Sequence, residues 1–136
     1  MTSCRPIYDN PWDLLCTFLG PDDTPYEGGI FFTRLAIPEE FPYKPPIVKF
    51  LTRVYHPNID ARGRVCADIL GSMYSPALGL YRSLISVISI LDDPNVDDPL
   101  VPEIAQQYRD NREEYNRIVF SLNSLPLTLI RLGGKE

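Results

Sequence analysis

Histidine and cysteine are scarce in this sequence, and their scarcity argues against most metal centres and disulfide frameworks. Of 136 residues, one is histidine, His56, and three are cysteines, Cys4, Cys16 and Cys66. An odd number of widely spaced cysteines disfavours both a set of disulfides and a zinc site. We therefore expect no metal and three free thiols, which are typical of proteins in the cytoplasm or the nucleus.

The sequence also lacks the signatures of nucleic-acid-binding and membrane proteins. Lys and Arg number 13 against 18 Asp and Glu, a net charge of −5, whereas a nucleic-acid-binding surface needs a basic excess. No apolar run approaches the roughly 18 residues of a membrane span. Residues 1–10 lack the apolar stretch of a signal peptide. We expect neither nucleic acid nor a membrane as a partner.

Length and composition predict one globular domain over residues 1–136. Hydrophobic residues make up 44% and charged residues 23%, a balance typical of folded domains. A chain of 136 residues can bury a core without support from disulfides or metals. A single folding unit is therefore expected.

Prolines, 14 in all, separate the predicted elements, because proline interrupts both strands and helices. Turn residues bound the strand-forming segments and predict an antiparallel meander, with strands over residues 13–19, 30–37 and 47–52. Residues 41–46 form an extended connector, in which the aromatic Phe41 modestly raises the chance of a cis Phe41–Pro42 bond. A long irregular segment follows, from Thr52 to about Leu80.

Helices are predicted in the second half of the chain. Residues 80–91 are apolar on nearly all sides, which indicates a helix that is buried or docks on a partner. Residues 102–119 form an amphipathic helix, with Pro102 suited to its first turn. Strands first and helices later predict an α+β fold, in which an antiparallel meander sheet packs against helices.

The irregular segment carries the pattern that bears on function. Taken singly its residues are weak signals, since a lone cysteine is usually a small buried apolar residue. Taken in order they form the string Tyr55-His56-Pro57-Asn58-Ile59, then Gly63, Val65-Cys66 and Asp68-Ile69-Leu70. Matching segments flank it at residues 20–21, 25–29, 41–46, 75–78, 93–95 and 97–100. From about Trp12 to Val119 the sequence resembles the compact class of ubiquitin-conjugating enzymes.

This resemblance implies a ubiquitin-conjugating core and thioester chemistry at Cys66. The Cys66 thiolate would accept ubiquitin from the activating enzyme and pass it to a substrate lysine or a ligase cysteine. Asn58 matches the residue assigned to stabilise the tetrahedral oxyanion, and a compatible reading is that it holds the loop through backbone hydrogen bonds. His56 matches a position that braces the loop. No cofactor is implied, since the activating enzyme consumes the ATP.

Two acidic residues are assigned to the attacking lysine by the same resemblance. Asp98 matches the acidic residue beside the incoming lysine, and Asp68 lies in the same region. An acidic, partly desolvated rim can orient an ammonium group for deprotonation. The alternative for Asp98 is a solvated turn that caps the next helix. No base adjoins Cys66 as a cysteine protease would require, which is consistent with exchange between similar thiols.

Partner surfaces are likewise implied by the resemblance. RING- or HECT-type ligases would dock on two loops, made of Pro42, Tyr43 and Lys44 and of Ser75, Pro76 and Ala77. Tyr43 could instead cover the sheet edge. Ile85 matches the position where bound ubiquitin folds back in the reactive state. The expected partners are ubiquitin, the activating enzyme, ligases and substrate proteins.

Both ends of the chain depart from the family pattern. Residues 1–11 diverge where the family's first helix would precede the first strand, and residues 120–136 diverge where relatives close with a further helix. Loss of the first helix would remove basic residues that usually contact the activating enzyme. This favours an alternative, a noncatalytic ubiquitin- or ligase-binding variant of the same fold, whereas the retained Cys66, Asn58 and Asp98 favour the enzyme.

Overall fold

The computed structural model describes residues 2–65 and 74–125, which form an antiparallel sheet followed by helices. Within these residues the strands are β1 (Thr2–Ile7), β2 (Asn10–Leu19), β3 (Ile30–Ala36) and β4 (Ile47–Phe50), in the spatial order β1-β2-β3-β4. The helices are α1 (Gly79–Ser89), α2 (Pro102–Asp110) and α3 (Arg112–Asn123). The α+β class and the antiparallel meander are confirmed, and α1 is the helix predicted over residues 80–91.

One face of the sheet supplies the core. Side chains along β3 alternate between buried and more exposed, which puts Phe31, Thr33 and Leu35 on the buried face. Phe31 stacks on Phe18 with 5.5 Å between ring centroids, and Phe50 meets both rings edge-on. The same cluster includes residues of two helices, Leu84, Val87, Tyr115 and Val119. The core therefore joins the sheet to α1 and α3.

The sheet begins earlier in the chain than the sequence predicts. β1 pairs antiparallel with β2, from Thr2 opposite Phe18 to Ile7 opposite Asn10. The two-residue turn between them places Tyr8 at a φ of 51° and Asp9 at 60°, as in a type I′ hairpin. Asn-Gly or Asp-Gly usually marks such a turn, and neither stands here. The hairpin therefore has no recognisable signal in the sequence.

The hairpin also overturns the expectation of three free thiols. Cys4 lies directly opposite Cys16, with their Cα atoms 4.0 Å apart, and the two side chains form a disulfide. The register explains the pairing, because an antiparallel hairpin brings residues 12 positions apart to the same height in the sheet. The expectation was wrong for this pair because it judged spacing along the chain and took no account of β1.

The helical half departs from prediction at Asn111. A single helix over residues 102–119 is wrong, since Asn111 has a φ of −146° and a ψ of 71°, outside the helical region. Its side chain accepts a hydrogen bond from the backbone N–H of Glu114 at 3.2 Å, so the residue that ends α2 also caps α3. Pro102 does occupy the first turn of α2. Across the described ranges, no helix is long and apolar enough to cross a membrane.

A tight loop after β4 approaches the sheet through a glycine. Gly63 has a φ of 84°, and its carbonyl accepts a hydrogen bond from the backbone N–H of Phe50 at 2.8 Å. The Asp60 carboxylate closes the loop by accepting two backbone N–H groups from its far side, each at 2.9 Å. Ile59 and Val65 then face each other as an isolated bridge. This loop ends at Val65, the residue that precedes Cys66.

Gly63→Ala should destabilise the fold more than Gly28→Ala. Both glycines have positive φ, 84° and 89°, so backbone strain costs alanine roughly 1–2 kcal/mol at either position. A Cβ at Gly63 would also lie 1.9 Å from the Phe50 carbonyl oxygen, whereas one at Gly28 meets nothing within 4 Å. In urea unfolding, we expect Gly63→Ala to lose about 2 kcal/mol more than Gly28→Ala. Equal losses would contradict the close approach of Gly63 to Phe50.

Replacing Tyr8-Asp9 with Asn-Gly should stabilise the β1–β2 hairpin. Asn and Gly tolerate the left-handed backbone that costs other residues roughly 1–2 kcal/mol. Tyr8 is 98% exposed, so its removal loses little packing. We expect the free energy of unfolding to rise by about 1 kcal/mol. The control Tyr43→Asn removes another exposed tyrosine outside this turn and should give no gain; a gain there, or none in the hairpin, would argue against the type I′ turn.

Candidate active site

His56 is fully buried, and both of its ring nitrogens are engaged. Nε2 lies 2.6 Å from the carbonyl oxygen of Ile90, next to the end of α1, and Nδ1 lies 2.9 Å from the backbone nitrogen of Asn58. Since the Asn58 N–H can only donate, Nδ1 accepts and Nε2 carries the proton. Burial lowers the pKa of His56 from 6.5 to about 4. The ring is therefore neutral at pH 7 and has no nitrogen left for proton transfer.

Asn58 is also fully buried, and its side-chain amide clamps the backbone of Asn95. Nδ2 donates to the Asn95 carbonyl at 2.8 Å, and Oδ1 accepts from the Asn95 N–H at 2.9 Å. We call this pair of bonds the amide clamp. It uses Oδ1 and one of the two protons on Nδ2. Within the described residues the other Nδ2 proton has no partner, so one donor of the amide is left over.

The turn between His56 and Asn58 also holds the segment that carries Asp98. The Pro57 carbonyl accepts hydrogen bonds from the backbone N–H groups of Leu100 and Val101, both at 2.9 Å. The amide clamp fixes Asn95 at the other end of the segment. Asp98 is exposed between these two anchors. The structure thus places three of the predicted site residues, His56, Asn58 and Asp98, on one connected framework.

Cys66 and Asp68, the two other predicted site residues, lie outside the described residues. The described chain stops next to Cys66 at Val65, which forms a bridge with Ile59. Ile59 directly follows Asn58 in the chain. The bridge therefore holds Val65, the last described residue before Cys66, close to the turn.

A tyrosine cluster supports the turn and is not predicted by the sequence. The Tyr26 ring lies 5.9 Å from the His56 ring, and its hydroxyl bonds both the Tyr115 hydroxyl and the Tyr55 backbone carbonyl. Burial raises the pKa of Tyr26 well above its usual value, so the hydroxyl stays protonated. A tyrosine within the turn-rich residues 21–29 is the signal that could have revealed it. Asn95 offers no such signal, because its backbone makes the contact with Asn58.

The two predicted ligase loops lie side by side. Tyr43 is 80% exposed and Lys44 is exposed, while Pro42 is half-buried behind a cis Phe41–Pro42 bond. The Tyr74 hydroxyl donates a hydrogen bond to the Pro42 carbonyl. Tyr74 leads directly into the exposed second loop, Ser75, Pro76 and Ala77. One hydrogen bond therefore joins the first loop to the start of the second.

Ile85 lies on the solvent side of α1. It is 39% exposed, and Tyr81, one turn earlier, is 70% exposed. The opposite side of the helix buries Leu84 and Val87 in the core. An apolar pair on an exposed helix surface is suited to contact with another protein.

A separate groove of about 510 Å³ opens between residues 53–61 and α3. Its lining includes Tyr55, Ile59 and Ile118. Of the predicted site residues that the structure describes, none lines it. The same described ranges contain no group of three or more His, Cys, Asp or Glu side chains that could hold a metal ion.

The stability of the fold should decrease as the pH is lowered from 6.5 to about 4, the two pKa values of His56. The pKa of this histidine is 6.5 when unfolded and about 4 when folded, so the unfolded state binds more protons between these values. Hence each unit by which the pH is lowered within that window should reduce the free energy of unfolding by about 1.4 kcal/mol. Above the window, the free energy of unfolding should be insensitive to His56. Urea unfolding between pH 7 and 5 measures the slope. His56 is the only histidine, so the slope should flatten in His56→Gln; an unchanged slope would refute this origin.

Known proteins are similar to this chain over the whole of the framework described above. The sequence profile described as ubiquitin-conjugating enzyme matches residues 1–122, which include β1 as well as the turn at His56. Among solved structures, the chain is similar to a protein from Plasmodium yoelii that is assigned as a ubiquitin conjugating enzyme. The two share 35% sequence identity and a TM-score of 0.83, over 90% of this chain and 80% of the other. This chain belongs to the ubiquitin-conjugating enzyme family.

Proposed function

We propose that the chain carries ubiquitin as a thioester on Cys66 and transfers it to a substrate lysine or a ligase cysteine. The observation that carries the proposal is the turn from His56 to Asn58, which anchors both the approach to position 66 and the segment with Asp98. Family membership supports the same reaction. The chain itself needs no cofactor, since the activating enzyme uses the ATP.

Charging is an exchange between two thiols. The Cys66 thiolate attacks the carbonyl carbon of ubiquitin's terminal glycine, which is held as a thioester on the activating enzyme. The tetrahedral oxyanion collapses, the bond to the activating enzyme breaks, and its thiolate leaves. Because the attacking and leaving thiols are alike, no strong base is needed. The neutral, fully bonded His56 is accordingly a positioning residue, which orients the backbone of Asn58.

Transfer to lysine makes a further demand, because the attacking amine must lose a proton. In our proposal Asp98 and Asp68 orient the lysine ammonium and receive that proton, directly or through water. Asn58 keeps one Nδ2 proton beyond the amide clamp. That N–H is the donor we assign to the oxyanion, where such a bond stabilises developing charge. The structural and catalytic readings of Asn58 are thus compatible, since they use different atoms of the amide.

Partner contacts complete the proposal. The ligase surface is formed by the two loops that Tyr74 joins, with Pro42, Tyr43 and Lys44 on one side and Ser75, Pro76 and Ala77 on the other. Tyr43, an exposed aromatic between them, is the anchor we assign to a RING- or HECT-type ligase. Ile85 on α1 would contact the ubiquitin that Cys66 carries.

Incubation with activating enzyme, ATP and ubiquitin tests the reaction directly. On a nonreducing gel we expect a band heavier by one ubiquitin that reductant removes and that Cys66→Ala lacks. Cys66→Lys should give a reductant-resistant band, because an amide replaces the thioester. Cys4→Ser is the matched control, since it removes another cysteine and should keep the labile band.

Failure of charging by a folded chain would reject the enzyme and leave the noncatalytic variant. Circular dichroism of the same sample establishes that the chain is folded. A pulldown with a ligase domain then tests the noncatalytic variant. If the chain binds ligases without catalysis, the parent and Cys66→Ala should be captured equally. Loss of capture in Tyr43→Ala would locate the contact on the first ligase loop.

A further inference from the structure

The edge strand β1 has few attachments to the rest of the protein. Among the described elements, its one extensive packing partner is β2. Four of its six residues, Ser3 to Pro6, are exposed, so it buries little apolar surface. Its turn also holds Tyr8 and Asp9 in left-handed conformations that disfavour the hairpin. The disulfide from Cys4 to Cys16 therefore adds a covalent attachment to the pairing of β1 with β2.

The two ends of this disulfide lie in very different surroundings. Cys16 has no exposed surface and belongs to the hydrophobic core. Cys4 is exposed on the edge strand, where no further strand covers it among the described residues. An incoming thiolate must reach the sulfur that it attacks, and access decides which sulfur that is. Only the Cys4 side offers that access.

We propose that Cys4 is a thiol-exchange site at which low-molecular-weight thiols, of which glutathione is the probe, open the bond to Cys16 and release β1. The thiolate of the small thiol attacks Sγ of Cys4. The Cys4–Cys16 bond breaks, a mixed disulfide forms on Cys4, and Cys16 leaves as a thiolate that takes a proton from water as β1 separates from β2. A second small thiol then attacks the sulfur of the first, forms a disulfide with it and leaves Cys4 as a thiol.

The core favours this direction of opening. A neutral thiol is a small apolar group that the interior accommodates well. Cys16 can therefore remain in place after the bond opens, among the core residues that surround it. The reverse product, a mixed disulfide on Cys16, would need to place a charged tripeptide inside that core. Modification should accordingly accumulate on Cys4, and β3 and β4 should keep their packing.

Site-resolved mass spectrometry tests the asymmetry. Cys66→Ala leaves Cys4 and Cys16 as the two cysteines, and chymotrypsin cleaves after Tyr8 to put them in separate peptides. After brief exposure to reduced glutathione and an acid quench, we expect the adduct on Cys4 to exceed that on Cys16 by about tenfold or more. Equal adducts would overturn the proposal. So would denatured, unreduced protein in which both cysteines are already alkylatable.

Hydrogen exchange tests the release of β1 in the full chain. Reduction should lower amide protection over residues 2–7, while the amides of β3 keep theirs. Cys4→Ser should show the low β1 protection without any reductant, and its β3 protection reports that it folds. Unchanged protection of β1 after reduction would refute the release. Neither experiment involves ubiquitin transfer, so their outcome is independent of the proposed enzyme activity.

Discussion

The hydrogen bond from His56 to the Ile90 carbonyl fixes the turn on which the candidate site depends. It joins the end of α1 to the irregular segment after β4, and it forces the other ring nitrogen to accept from Asn58. The arrangement requires a neutral ring, because a protonated Nδ1 would face the Asn58 N–H with a second donor. Burial supplies that condition by depressing the pKa of His56. The low dielectric of the core thus keeps the ring neutral, and the two hydrogen-bond partners select the tautomer that the turn needs.

The remaining contacts of the candidate site depend on this bond. The fixed backbone of Asn58 aims its amide at Asn95, and the neighbouring Pro57 carbonyl holds the start of α2. Every one of these contacts uses backbone groups or a neutral side chain, so none depends on ionic strength. The charged residues, Asp98 among them, then stand at the surface of a neutral frame. Such a division suits the transfer chemistry that we propose, in which the frame keeps its charge state and the acidic residues orient an ammonium.

Local signals in the sequence were reliable where one short pattern decided the structure. Strand-forming residues bounded by turn residues predicted β3, and Pro102 marked the start of α2. The helix predicted through Asn111 failed because its apolar spacing continues across the break, while a single side-chain cap decides the backbone there. β1 and its disulfide were missed for a different reason. Their signal is the register of a hairpin, which depends on how two segments pair.

The same contrast applies within the candidate site. The string from Tyr55 to Asn58 drew attention to this turn, and the family resemblance that the string carries implied that His56 braces the loop. What the string could not contain are the partners, because Ile90 and Asn95 contribute backbone atoms that any residue could supply. Tyr26 lies 30 residues from His56 along the chain and reaches it through the core. Such contacts follow from the packing of the sheet on the helices, so they become visible only with the fold.

The edge strand β1 and the turn at His56 are stabilised by bonds of different kinds. A covalent bond between Cys4 and Cys16, which we propose small thiols can open, secures the edge strand β1, which is itself little buried. Neutral hydrogen bonds inside the core secure the turn at His56, and they respond to acid. Since β1 packs extensively only on β2, opening the first bond leaves the contacts of the second intact. The edge strand can therefore respond to the thiol environment while the site keeps its geometry.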